Sequence, residues 1–160
     1  MSKTVPVVFQ GRWFWAYDVS LGTLLLEAVL VHGEMEPGQR PPWADRVAED
    51  LRTQVRNGSS NAFALDTDKW NTEQRDYVRS TIVAAGRRLR GRGIVTSAEA
   101  AQHYLVDGEP YFLRGHEQVD GEVVADLAEA IESLIQDQLP AEPVTDRHWF
   151  FGVAGGPRLL

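Results

Sequence analysis

Glu27 interrupts the apolar run "TLLLEAVLV" of residues 23–31. Burial there would raise the pKa of its carboxyl and equip it for acid–base chemistry. With Arg12 and His148 as further polar contacts, it defines one candidate pocket, walled by an aromatic sheet, for a small ligand or substrate. A plainer expectation stands beside it. A strand alternates its faces, so one charge in such a run needs only a solvated side, or neutralisation by Arg12 across a hairpin.

The remaining reactive side chains form no recognisable catalytic constellation. His32, His103, His116 and His148 include no i, i+4 metal pair and no H-E-x-x-H. Asp66 and Asp68 in "LDTDKW" are placed as a helix cap, where the dipole favours acids, and lack a third ligand in reach. "FGVAGGPR" has no P-loop lysine, no serine sits in G-x-S-x-G, and the chain has no cysteine. We therefore expect no metal and no cofactor, and an enzyme is the weaker reading.

Charge carries more information. The chain has 160 residues and a formal charge of −7. Residues 72–94 hold six bases and two acids, and "GRRLRGRG" packs Arg87, Arg88, Arg90 and Arg92 together. Residues 95–146 hold twelve acids and only Arg114. The helix expected over 120–139 carries Glu122, Asp126, Glu129, Glu132 and Asp137 toward solvent. Ordinary solvated helices gain about 0.2–0.5 kcal/mol from each Glu–Lys pair at i, i+4, and this one has no local cation. Either that face is simply hydrated, or it meets a basic protein.

Aromatic residues cluster at both ends, in "GRWFWAYD" (11–18) and "RHWFFGV" (147–153). Most are expected in the core. Any ring face left uncovered would mark an interaction site, and Trp13, Trp15 and Trp149 are the expected anchors.

These groups need elements to position them. Residues 5–17 and 23–31 read as two strands of a hairpin joined through "DVSLGT". Phe9, Trp13, Trp15 and Tyr17 are then on one face, with Val8, Arg12 and Phe14 on the other. Helices are expected over 43–56, over 66–90 with Asp66 or Asp68 as cap and "GRG" as stop, and from Thr96 to about Tyr104 through a Thr96–Glu99 capping box. Asp107-Gly108 signals a tight hairpin whose second strand Pro110 confines to an edge. The helix 120–139 ends at Pro140, and a short aromatic strand spans 148–153 before a flexible tail, 153–160. The fold expected is one α+β domain over 1–160, a small antiparallel sheet built on an N-terminal hairpin and packed by three to four helices.

Three function classes follow. The first is an acidic protein-binding module that docks on and blocks a basic partner, of the immunity protein or antitoxin type, through Glu122, Asp126, Glu129, Glu132, Asp137, Trp13, Trp15 and Trp149. The second is the small-ligand protein or enzyme using Arg12, Glu27 and His148. The third is DNA binding through the arginine cluster 87–92. In order, long helix, short helix and hairpin resemble a winged helix-turn-helix, but "SAEAAQHY" offers phosphates no cation and the net charge argues against nucleic acid. No apolar run approaches the roughly 20 residues that span a bilayer. A cytoplasmic setting is expected, and the oligomeric state is left open.

Overall fold

The computed structural model describes residues 3–145 and 147–152. Strands β1 (Thr4–Phe9) and β2 (Arg12–Tyr17) form the N-terminal hairpin. Gln10 (φ 50°) and Gly11 (φ 77°) make a two-residue turn with both dihedrals positive, the twist that suits antiparallel neighbours. Strand β3 (Phe63–Ala64) adds in parallel beside β1, and β8 (Trp149–Phe150) antiparallel beside β2, giving the order β3-β1-β2-β8. The α+β arrangement built on an N-terminal hairpin is thus present, with one parallel strand added to its sheet.

The second expected strand is not a strand. Residues Asp18–Glu34 form helix α1, and the hairpin closes at Gln10-Gly11 instead of at "DVSLGT". Every residue from Asp18 to Val29 is buried, so no face repeats in the sequence and neither helical nor strand periodicity shows. Gly22 sits inside this helix because a Cβ there would come 2.5 Å from the Tyr111 hydroxyl. The earlier turn also changes the faces. Phe9 pairs with Arg12 and Val7 with Phe14, so Phe9 shares a side with Phe14 and not with Trp13.

The other helices are α2 (Ala44–Asn57), α3 (Thr72–Arg92), α4 (Ser97–His103) and α5 (Gly121–Ile135). Helix α3 is capped by Asn71, which forms a capping box with Gln74, five residues beyond Asp66 and three beyond Asp68, the caps expected. It stops at Gly93 (φ 75°). Thr96 caps α4 through Glu99 N–H, and Asp120 caps α5. Helix α5 ends at Ile135, short of Pro140. Two small antiparallel pairs complete the fold: β4 (Ile94–Thr96) with β7 (Gln118–Asp120), and β5 (Leu105–Val106) with β6 (Glu109–Pro110) around Asp107-Gly108. The tail 153–160 lies outside the described residues.

Helix α1 is the centre of the core. Helices α2, α3 and α5 pack on it, and α5 also lies against the inner face of β1 and β2. That inner face is Val5, Val7, Phe14 and Ala16, all 1% exposed or less. Each large apolar side chain buried this way contributes about 1.5–3 kcal/mol. The helices therefore cover one side of the sheet with an apolar floor and leave the other side to be judged by its own exposure.

Candidate functional site

The acidic helix is matched from within. Arg79 holds Glu132 bidentately, Nε to Oε1 at 2.5 Å and Nη2 to Oε2 at 2.9 Å. Arg90 reaches Glu129 at 2.8 Å and Glu122 at 4.0 Å. Arg147 meets Asp126 at 2.8 Å, while Trp149 Nε1 donates to the other Asp126 oxygen at 2.9 Å. Arg12 pairs with Asp137 at 2.8 Å and donates to Leu134 O at 3.1 Å. All five carboxylates face an arginine of this chain, three of them Arg79 or Arg90 of α3. The sequence hid this because the partners lie outside the helix, as across the 53 positions between Arg79 and Glu132.

Arg12, Glu27 and His148 have separate surroundings. Arg12 belongs to the end of α5, as above. His148 shares a hydrogen bond of 3.2 Å with Ser20 Oγ and meets the Tyr17 ring edge-on. Burial pushes its imidazole below the usual histidine range. Glu27, fully buried on α1, instead joins the arginine cluster. Arg92 contacts its Oε1 at 2.6 Å and donates to the Tyr104 hydroxyl at 3.0 Å; that hydroxyl in turn donates to Oε1 at 3.4 Å. Arg88 stands 3.6 Å from Oε2 while gripping Glu34 with both terminal nitrogens. Burial, reinforced by the Glu27 charge, drives the Tyr104 phenol upward, and the Arg88 hydrogen bond holds Glu34 below the carboxylate range. Because α1 is a helix, Arg12 never faces Glu27. The two features that looked like an acid–base site and a DNA patch form one ionic clamp joining α1, α3 and the residue after α4. Arg87 is the one arginine of the cluster without an ion pair among the described residues.

The outer face of the sheet has the opposite character. Register places Thr4, Pro6 and Val8 opposite Tyr17, Trp15 and Trp13, with Ala64 beside Val8 and Phe150 beside Trp15. None of these eight side chains is charged. Trp13 is 53% exposed, and Trp15 and Tyr17 are half-buried. Tyr17 and Phe150 pack edge to face at 5.3 Å. Trp149 points inward, 3% exposed and 5.3 Å from Phe14, so it presents no surface to a partner.

Two features lie outside the expected sites. First, His32 bridges Asp45 Oδ1 (Nε2, 2.8 Å) and the Tyr77 hydroxyl (Nδ1, 2.5 Å), tying α1 to α2 and α3. The carboxylate fixes the proton on Nε2, leaving Nδ1 to accept from Tyr77. Burial raises the Tyr77 phenol, whose oxygen also lies 3.5 Å from Met35 Sδ, so the hydroxyl keeps its proton and serves packing. Second, Asp66, Asp68, Glu73 and Asp76 make no ion pair among the described residues. Asp66 accepts from Gln10 N–H at 2.9 Å, which fixes that carboxylate at the hairpin turn. Asp76 stands beside Arg75 and Arg79 on the helical side, so Asp66 is the acid of this group held at the turn.

No helix among the described residues is long and apolar enough to cross a membrane. No protein-family model, curated protein or solved structure matches this chain, so its functional reading rests on the geometry just described.

Proposed function

We propose that this protein is a binding module that docks a basic protein partner on the outer face of its N-terminal sheet. The observation that carries the reading is Trp13, 53% exposed on a regular strand, in a charge-free face with Asp66 held at the adjoining turn. An exposed tryptophan surrounded by apolar neighbours is the arrangement of interface hot spots, where truncation costs about 2 kcal/mol or more. Asp66 beside the turn and the net charge of −7 supply the steering that a basic partner answers. Glu122, Glu129 and Asp137, exposed at the far ends of their ion pairs, add to the same negative field.

In this reading the protein acts in the cytoplasm by covering a basic surface of its partner and blocking it, as immunity proteins and antitoxins do. The anchor moves from α5 to the sheet, because the α5 carboxylates already have cations. Affinity capture from the native cell, with the full chain as bait, tests it. A basic protein should be retained by the wild type, lost with Trp13→Ala, and released at lower salt when Asp66, Asp68 and Glu73 are neutralised. Adding the bait back should suppress the captured protein's own activity. Retention that is indifferent to Trp13→Ala would remove the proposal.

A further inference from the structure

We propose that the pocket between the turn end of the hairpin, the start of α3 and the end of α5 binds a small carboxylic acid whose apolar body is the size of one ring. This goes beyond the binding-module reading and does not depend on it, because Phe9, which lines the pocket, is on the opposite side of the sheet from Trp13.

The pocket has a volume of about 190 Å³. Its apolar wall is Phe9 at the end of β1, Leu65 just after β3 and Ile135 at the end of α5. Leu65 is 4% exposed and gives the pocket its floor, whereas Thr72 and Asp76 are exposed at its rim. A cavity of about 150 Å³ lined by such residues holds a benzene ring, so this one has room for a ring and a small head group. Pockets for drug-sized ligands run to about 300–1,000 Å³, which sets an upper bound on the occupant.

The head group is set by the two cations of the lining, Arg75 and Arg79. Arg79 is already held by both oxygens of Glu132. Arg75 has no carboxylate within ion-pairing distance among the described residues. Its Nη2 donates to Asp66 O at 2.9 Å and to Thr67 O at 3.1 Å, which holds the guanidinium in place. Its Nε is buried without a partner, and Nη1 makes no hydrogen bond among the described residues. A guanidinium fixed by two carbonyls but lacking a counter-ion is pre-organised for an anion, and hydrogen bonds to an ionised acceptor are roughly twice as strong as neutral ones. Asp76 is the acid of the lining, and its charge acts on Arg79. Asp66 is engaged by Gln10 N–H, while Asp68 and Glu73 lie outside the lining. Two cations against one acid favour an anion over a cation. The apolar wall then favours an acid with a hydrophobic body over a bare phosphate or sulfate.

The probe is benzoate, with benzamide and benzylamine as its neutral and cationic counterparts, titrated into the full chain and followed by methyl NMR and thermal unfolding. Benzoate should bind with a Kd of about 1 mM or tighter, move the methyl signals of Leu65 and Ile135, and raise Tm. Benzamide should bind about tenfold more weakly or worse, and benzylamine not at all. Arg75→Gln should weaken benzoate by about tenfold or more and leave benzamide unchanged. Thr72→Trp, at an exposed rim position, should block both ligands. Because it leaves the Arg75 hydrogen bonds alone, it carries the test if Arg75→Gln does not fold. Absence of a saturable shift at Leu65 and Ile135, or equal affinity for benzoate and benzamide, overturns the proposal. So does benzoate binding that is lost with Trp13→Ala and kept with Thr72→Trp, which would place the acid on the outer face of the sheet.

Discussion

The α3–α5 side of the molecule and the outer face of the sheet treat charge in opposite ways. On the helical side, every acid of α5 and the arginines Arg79, Arg88, Arg90 and Arg92 of α3 are answered, ending in the buried clamp of Glu27, Arg88, Arg92 and Tyr104. The sheet face carries no charge and leaves a tryptophan half in water. A sequence rich in charge directs attention to the first, yet a charge with a partner of its own chain is largely satisfied before another molecule arrives. The second is conspicuous only after the helices are seen to cover just one side of the sheet.

The comparison breaks most visibly at Glu27. Glu27→Ala leaves two arginines and a phenol without their shared acceptor. Losing one partner of a buried ion pair costs about 3–5 kcal/mol, to be measured as a lower urea midpoint. A loss below about 1 kcal/mol would mean that the clamp is wet and not a fastening. Next is Trp13→Ala, which should weaken partner binding by about 2 kcal/mol, roughly thirtyfold, while moving stability by no more than about 0.5 kcal/mol. A large drop in Tm would place Trp13 in the fold's own packing and erase the contrast between the two regions.

Smaller effects sharpen the same line. A double-mutant cycle with Arg79→Gln and Glu132→Gln should give a coupling of about 0.2–1 kcal/mol, the range of exposed pairs, with partner affinity unchanged. Dependence of binding on this pair would return α5 to the interface. The smallest effect is at His148. Its folded pKa lies below the unfolded value, so between the two the unfolded chain binds the proton and the native one does not. Stability is therefore full above about pH 6.5 and declines as pH falls through that value toward the folded pKa. Its ring protons should titrate below the ordinary histidine range by NMR, and a normal value would contradict the burial described.

Much of the architecture was legible where local chemistry is specific. Asp107-Gly108 announced its hairpin, Thr96 with Glu99 its helix start, and the amphipathic stripe α5. Helix α1 was not, because a segment buried on all sides carries no periodicity, and its Gly22 answers to Tyr111, 89 positions away. The first turn was missed since Gln10 is not a residue that favours positive φ, although Gly11 is. For the site, Trp13 and Trp15 were legible as aromatic surplus, but Trp149 was indistinguishable from them until its strand register was known. The pairing of α5 with α3 was invisible for a simpler reason. Charge counted along a chain says nothing about charge brought together by folding.

That last pairing also has a consequence for synthesis. A growing chain delivers α3, with six bases against two acids over 72–94, before any of the twelve acids of 95–146 exist. During that interval Arg79 and Arg90 lack the α5 carboxylates that pair with them, while Arg88 and Arg92 already have Glu34 and Glu27 of α1. Completion of α5 supplies the partners of Arg79 and Arg90, so a chain truncated before residue 120, with 14 bases against 15 acids, leaves both arginines exposed to other anions.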